Sequence, residues 1–253
     1  MIDYTRSCYH EKYEFEIWFW EQTLFEFNYK INNKTKEVIY PLEGEYNGFY
    51  MIIDKYKGYF TGIYKEIEYY SEIRRTGLNL SYTSLMSGIT SQLSFMYKPT
   101  ETNLTSLSLS FVIDLEIDVQ NFLKSYLIMH KFKYYNLNKA LKGKKNFIKF
   151  DYDQYSIEFT KYFQKTKKMK ISLVLKSKKK YKSLQILNIT QLTEKSNIEA
   201  LFKFYLKIFD EVIIVNKKMI NGISDFKEKK LMKTYSSYGY WEQLDKYQNI
   251  ITK

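Results

Sequence analysis

Two pairs of carboxylates stand two residues apart, Asp114 with Glu116 and Asp151 with Asp153. On a strand, residues i and i+2 share a face, so each pair would present its oxygens together. Oxygen sets of this kind hold Mg²⁺ or Mn²⁺, and a metal so held polarises a phosphate or activates a water. The plainer reading of each pair is a solvent-facing strand surface; both pairs facing one cavity would reverse that balance. Other chemistry is sparse. The only histidines are His10 and His130 and the only cysteine is Cys8, which excludes a histidine-rich or cysteine-rich metal site within one chain and any intrachain disulfide. Cys8 and His10, two residues apart near the start of the sequence, make a poor nucleophile and base. His130 reads as the apolar-side end of a helix. No Gly-x-x-x-x-Gly-Lys-Ser/Thr, Gly-x-Gly-x-x-Gly or Gly-x-Ser-x-Gly motif occurs. A tyrosine hydroxyl can attack phosphorus, but among 26 tyrosines one beside a carboxylate carries no information.

The charge is far more informative. Residues 131–182 hold seventeen lysines against three acids, Asp151, Asp153 and Glu158, an excess above the +12 of the entire chain. An A+T-rich coding sequence raises lysine and tyrosine everywhere, but it does not gather them. A basic stretch on an otherwise near-neutral chain is the footprint of a phosphate-backbone binder. Phe132, Tyr134, Tyr135, Phe147, Phe150, Tyr152, Tyr155, Tyr162 and Phe163 interleave with the lysines, and exposed rings beside lysines stack on unpaired bases. An acidic protein partner is the second fit. The stretch is not one amphipathic helix, so a membrane surface is not expected, and no apolar run reaches the ~18 residues of a membrane span. The first residues lack a basic-then-apolar signal, and with the single cysteine the expectation is a cytoplasmic protein.

These residues need elements to position them. The pattern predicts an α+β fold of mostly antiparallel sheet with helices packed on one face. Strands are expected over 12–20, 34–40, 48–54, 58–67, 104–117, 147–159, 169–175 and 211–216, with turns at Asn32-Asn33, Pro41 and Asn47-Gly48. Helices are expected over 82–97, from an Asp118 N-cap to about His130, and from Thr193 through Phe209. The order suggests two similar halves, 1–100 and 101–253, or one continuous domain. Tyr240-Trp241-Glu242 reads as an aromatic anchor in a polar tail.

Several short runs occur in a particular order: Leu107 to Leu115, Asn121 to Lys124, Tyr135-Asn136, Lys149-Phe150, Gln154 to Ile157, Phe159 to Gln164, Leu192 to Lys195, Phe209 to Ile214 and Tyr240 to Glu242. In that order they resemble the replication-initiator-like proteins of Bacteroidetes phages and plasmids, distant relatives of rolling-circle initiators. The resemblance spans roughly residues 50–245. It implies origin binding, single-strand nicking by a tyrosine with a divalent metal, and a covalent 5′-phosphate link. The family's histidine, acid and tyrosine positions fall here on Tyr64, Ser110 and Phe159, and Phe159 has no hydroxyl. The resemblance therefore implies a relative with no intact catalytic set that still holds DNA, single-stranded or hairpin. Its binding residues would be Lys65, Lys142, Lys144, Lys145, Lys149, Lys161, Gln164, Lys167 and Lys168. A shifted alignment would make Tyr155 or Tyr162 the nucleophile. The expectation is thus a DNA-binding, initiator-like protein with no cofactor, or with Mg²⁺ or Mn²⁺ if it cuts. The rivals are a non-enzymatic protein gripping an acidic partner and a nuclease built on Asp114, Glu116, Asp151 and Asp153.

Overall fold

The stretch Lys12–Trp20 alternates polar and aromatic residues, yet it is helix α1. Both periods fit its sequence. Burial separates them: Phe15 and Phe19, one helical turn apart, are enclosed, while Tyr13 and Ile17 are exposed. The strand expected there lies just before it, as β1 (Ile2–Tyr9).

The computed structural model describes residues 2–64, 81–131, 133–134, 147–162, 165, 167–216 and 222–235. These residues form an α+β fold whose strand pairs with a described register are all antiparallel. The chain divides into two compact units. Unit 1 holds residues 1–110, 153–155 and 173–202; unit 2 holds 111–152, 156–172 and 203–253.

In unit 1 the strands are β2 (Glu26–Ile31), β3 (Val38–Tyr46), β4 (Phe49–Ile53), β5 (Gly58–Ile63), β1 and the part of β6 (Asn103–Asp114) up to Ser110, in the order β2-β3-β4-β5-β1-β6. Asn47 and Gly48 both have positive φ and close a two-residue hairpin, the geometry an Asn-Gly pair favours. Pro41, expected to mark a turn, instead lies inside β3. There the β2–β3 register jumps, so that Asn28 faces Glu43 and Lys30 faces Ile39. A proline cannot donate to a ladder and is tolerated at such an interruption. Helix α1 rests on glycines: a Cβ on Gly58 would lie 2.0 Å from the Phe15 ring, and one on Gly44 3.3 Å from the Phe19 ring. Helix α2 (Tyr82–Ser94) starts at Ser81, whose side chain accepts the Ser84 N–H, and buries Leu85, Gly88, Ile89 and Gln92.

In unit 2, Asp118 caps helix α3 (Val119–Ser125) as expected, accepting from the amides of Gln120 and Asn121. The helix does not continue to His130. Residues Tyr126–His130 turn into β7, paired with β12 (Val212–Asn216) and with β8 (Lys133–Tyr134). The expected strand 147–159 is a hairpin, β9 (Phe147–Asp151) and β10 (Tyr155–Lys161), followed by β11 (Lys168–Leu175), in the order β11-β10-β9. Helix α4 (Lys178–Ser183) belongs to unit 1, helix α5 (Lys195–Asp210) begins two residues later than Thr193, and α6 is Phe226–Tyr235. Among the described residues no helix is long and apolar enough to cross a membrane.

Candidate functional site

The family-equivalent residues are packed as structure. Tyr64, enclosed at the end of β5, donates to Gln92 Oε1 at 2.8 Å; Thr5 Oγ1 donates to the same oxygen at 2.9 Å and lies 3.0 Å from the Tyr64 hydroxyl. Burial pushes the Tyr64 hydroxyl well above its ordinary pKa, so it stays a neutral donor. A Cβ on Gly62 would meet Gln92 Oε1 at 2.4 Å, and one on Gly88 would meet the Tyr64 ring at 2.8 Å. Ser110 donates to Asp3 Oδ1 at 2.6 Å, also inside unit 1. Phe159, in unit 2, is enclosed edge-on against Phe150, their centroids 6.3 Å apart. Of the fallback tyrosines, Tyr155 is buried and Tyr162 half-buried.

The carboxylate quartet does not assemble. β6 ends at Asp114, so Glu116 is not on its strand face; β9 ends at Asp151, and Asp153 falls in the hairpin turn. Asp114 instead pairs with Lys168. Among the described residues no three of His, Cys, Asp or Glu stand close enough to hold a metal ion. The residues do not fit the divalent cation that the resemblance implies. Cys8 is buried and its thiol pushed up, chiefly by burial, while His10 is exposed, so that pair is inert.

Lys65, Lys142, Lys144, Lys145 and Gln164 lie outside the described residues, as do Tyr240, Trp241 and Glu242. Of the others, Lys149 pairs with Glu158 at 3.0 Å and Lys168 with Asp114, so an acid already meets each charge. Lys161 is half-buried and Lys167 exposed. Among the described residues the densest run of lysines lies elsewhere within 131–182. Between Glu158 and Glu194 there is no acid, and residues 176–182 contain Lys176, Lys178, Lys179, Lys180 and Lys182. Four of these, all but Lys180, are exposed. Tyr181 anchors α4 from beneath: it is enclosed, donates to Leu175 O at 2.6 Å, and has its pKa raised by burial. The acid-free interval was the signal available in the sequence.

Unit 2 also holds a polar cluster that no spacing revealed. His130, fully enclosed, has Nδ1 2.6 Å from the Tyr152 hydroxyl and Nε2 3.3 Å from Glu211 Oε2. The second contact is at ion-pair distance without hydrogen-bond alignment. Lys131 reaches the same carboxylate at 3.4 Å. Burial, the largest influence, lowers the His130 pKa; Glu211 and the Ile208 carbonyl pull it up and Lys131 adds to the lowering. With the imidazole neutral and its proton on Nε2, Nδ1 accepts from the Tyr152 hydroxyl; in the other tautomer the hydroxyl accepts from Nδ1.

The His130 shift has a sign that can be measured. The folded state disfavours imidazolium, so the unfolded chain binds the proton first, near the ordinary value of 6.5. Stability is expected to be full above that pH and to fall as pH drops below it toward the lowered folded value. Urea midpoints at several pH values test this: His130→Gln should flatten the slope below pH 6.5, and an unchanged slope would assign it elsewhere.

No protein-family model matches the chain, and no curated protein matches it.

Proposed function

We propose that this is a nucleic-acid-binding protein, of the DNA-binding, replication-initiator-like kind, that holds phosphate without an intact catalytic set. One observation carries the reading: in the acid-free lysine run 176–182, Lys178, Lys179 and Lys182 are exposed on a helix pinned by Tyr181, with exposed Lys176 just before it. Lysines so presented neutralise phosphates and release counterions. Tyr64, Ser110 and Phe159 supply no nucleophile, since the first two are tied into buried hydrogen bonds and the third has no hydroxyl.

Fluorescence anisotropy with single-stranded and hairpin DNA across a salt series tests it. Each single-strand phosphate contact contributes about 0.7 to the slope of log affinity against log salt, so Lys178→Glu/Lys179→Glu/Lys182→Glu is expected to lower the slope by about 2 and affinity by on the order of tenfold or more. Unaltered binding by the triple variant, or none by the parent at low salt, refutes the reading. Purified protein free of nucleic acid that captures an acidic protein would instead support the rival interaction role.

The 2.6 Å contact between Tyr152 and His130 favours a second reading, in which the Tyr152 oxygen attacks phosphorus, His130 takes the phenol proton, the bond from phosphorus to the strand's 3′ oxygen breaks, and that oxygen leaves as a hydroxyl with a proton from solvent. The same incubations run on a denaturing gel separate the two. The first reading gives no protein–DNA adduct; an adduct absent from Tyr152→Phe establishes the second.

A further inference from the structure

The outer edge of β2 is open. The strand pairs with β3 on one side, and among the described residues none pairs with it on the other. The jump in register belongs to β3, where Tyr40, Pro41 and Leu42 stand opposite Tyr29 alone, so β2 keeps a straight edge. The Asn32 N–H donates to the Glu37 carbonyl, and alternation back along the strand turns the amides of Phe27, Tyr29 and Ile31 outward. Beside this edge, α1 exposes Tyr13, Ile17 and Trp20, a stripe at i, i+4 and i+7, continued by Leu24. Together with Tyr29 and Ile31 each of these is at least 41% exposed. Trp20 bridges helix and edge, 5.3 Å from Tyr29 and 5.6 Å from Phe27. An exposed apolar edge strand is a template for another strand, and a continuous apolar patch marks an interface.

The sequence of β2 says which strand fits. Glu26-Phe-Asn-Tyr-Lys30 is complementary to its own reverse. Centred on Asn28, two copies running antiparallel set Glu26 against Lys30 twice and Phe27 against Tyr29 twice. Opposite charges and aromatic pairs are the favourable cross-strand combinations. The same register makes Phe27 and Tyr29 the hydrogen-bonded pairs, and their amides are the ones that point outward. We propose that β2 pairs with β2 of a second copy, joining two unit 1 sheets about a two-fold axis, with the Trp20 seams on one face and the two Glu26–Lys30 pairs on the other.

Sedimentation equilibrium on the full chain tests the pairing through exposed residues whose replacement leaves folding intact. The parent is expected to dimerise. Glu26→Lys or Lys30→Glu alone makes two like-charged pairs and should weaken the dimer on the order of tenfold, whereas the double exchange restores it. Under oxidation Asn28→Cys should give a disulfide dimer, because a non-hydrogen-bonded pair brings Cα atoms to about 4.5 Å. Lys30→Cys should not, because in this register its own copy is about 13 Å away. A parent that stays monomeric at about 100 μM, single reversals without effect, or a disulfide dimer from Lys30→Cys and none from Asn28→Cys would each overturn the proposal. Circular dichroism of each variant shows that loss of the dimer is not loss of the fold.

Discussion

Phe15→Ala is expected to cost about 3–5 kcal/mol, the range for emptying an enclosed aromatic site, while Tyr13→Ala two residues earlier costs within about 0.5 kcal/mol. The contrast comes from α1. Phe15 stacks on Tyr9 with centroids 4.1 Å apart and covers the bare backbone of Gly58, whereas Tyr13 points to solvent. The site cannot collapse easily, because Gly58 offers no side chain to fill the space. Were residues 12–20 a strand, positions 13, 15, 17 and 19 would share a face and the two substitutions would hurt alike. Chemical denaturation of both variants decides it, with equal losses contradicting the helix.

Gln92→Leu is the second large effect. Its Oε1 accepts from both Thr5 and Tyr64 inside unit 1. Leucine roughly keeps the volume but removes the acceptor, leaving two enclosed hydroxyls with only each other. A buried polar group deprived of its partner costs about 1–3 kcal/mol, so a loss of about 2–4 kcal/mol is expected. Tyr64→Phe should cost less, because Thr5 keeps its bond to Gln92. In the double variant the two losses should fall well short of their sum, as expected for neighbours in one network. Additive losses in urea unfolding would show that the three groups do not act together. Both variants should leave the proposed DNA binding as it is in the parent, since Thr5, Tyr64 and Gln92 bond to one another and not to the lysines of α4.

The parts of this fold legible from sequence are those whose signal is local. Asp118 announces its helix because a carboxylate two and three residues ahead of the open amides is a complete cap in itself. Asn47-Gly48 announces its hairpin for a similarly local reason. The errors arise where two periods fit one string and a distant partner decides. Val119, Phe122, Leu123, Tyr126 and His130 suit one helical face, yet β12, more than eighty residues later, takes 126–130 as a strand. At 147–159 the reversal at Tyr152-Asp153-Gln154 carries no glycine or proline, so nothing punctuates the run.

The candidate site divides the same way. Lysine density is additive along the chain and could be counted directly. Which lysines remain available was not countable, because Glu158 and Asp114 reach Lys149 and Lys168 only after the strands align. The carboxylate pairs failed on element boundaries, each strand ending at the first acid of its pair. The Tyr152–His130–Glu211 cluster joins three points spread over about eighty residues, and no spacing rule anticipates that.

β1 pairs with β5 on one side and with β6 on the other, Ile2 facing Leu109. During synthesis its second neighbour is therefore made 107 residues after it, a delay of about 5–20 s at ribosomal rates of roughly 5–20 residues per second. For that interval β1 has at most β5 beside it, and its other edge is unpaired. Its apolar and hydroxyl side chains meet water, ribosome or chaperone before they meet β6. The nascent chain thus passes through a stage in which a strand that ends up flanked on both sides is still an edge strand.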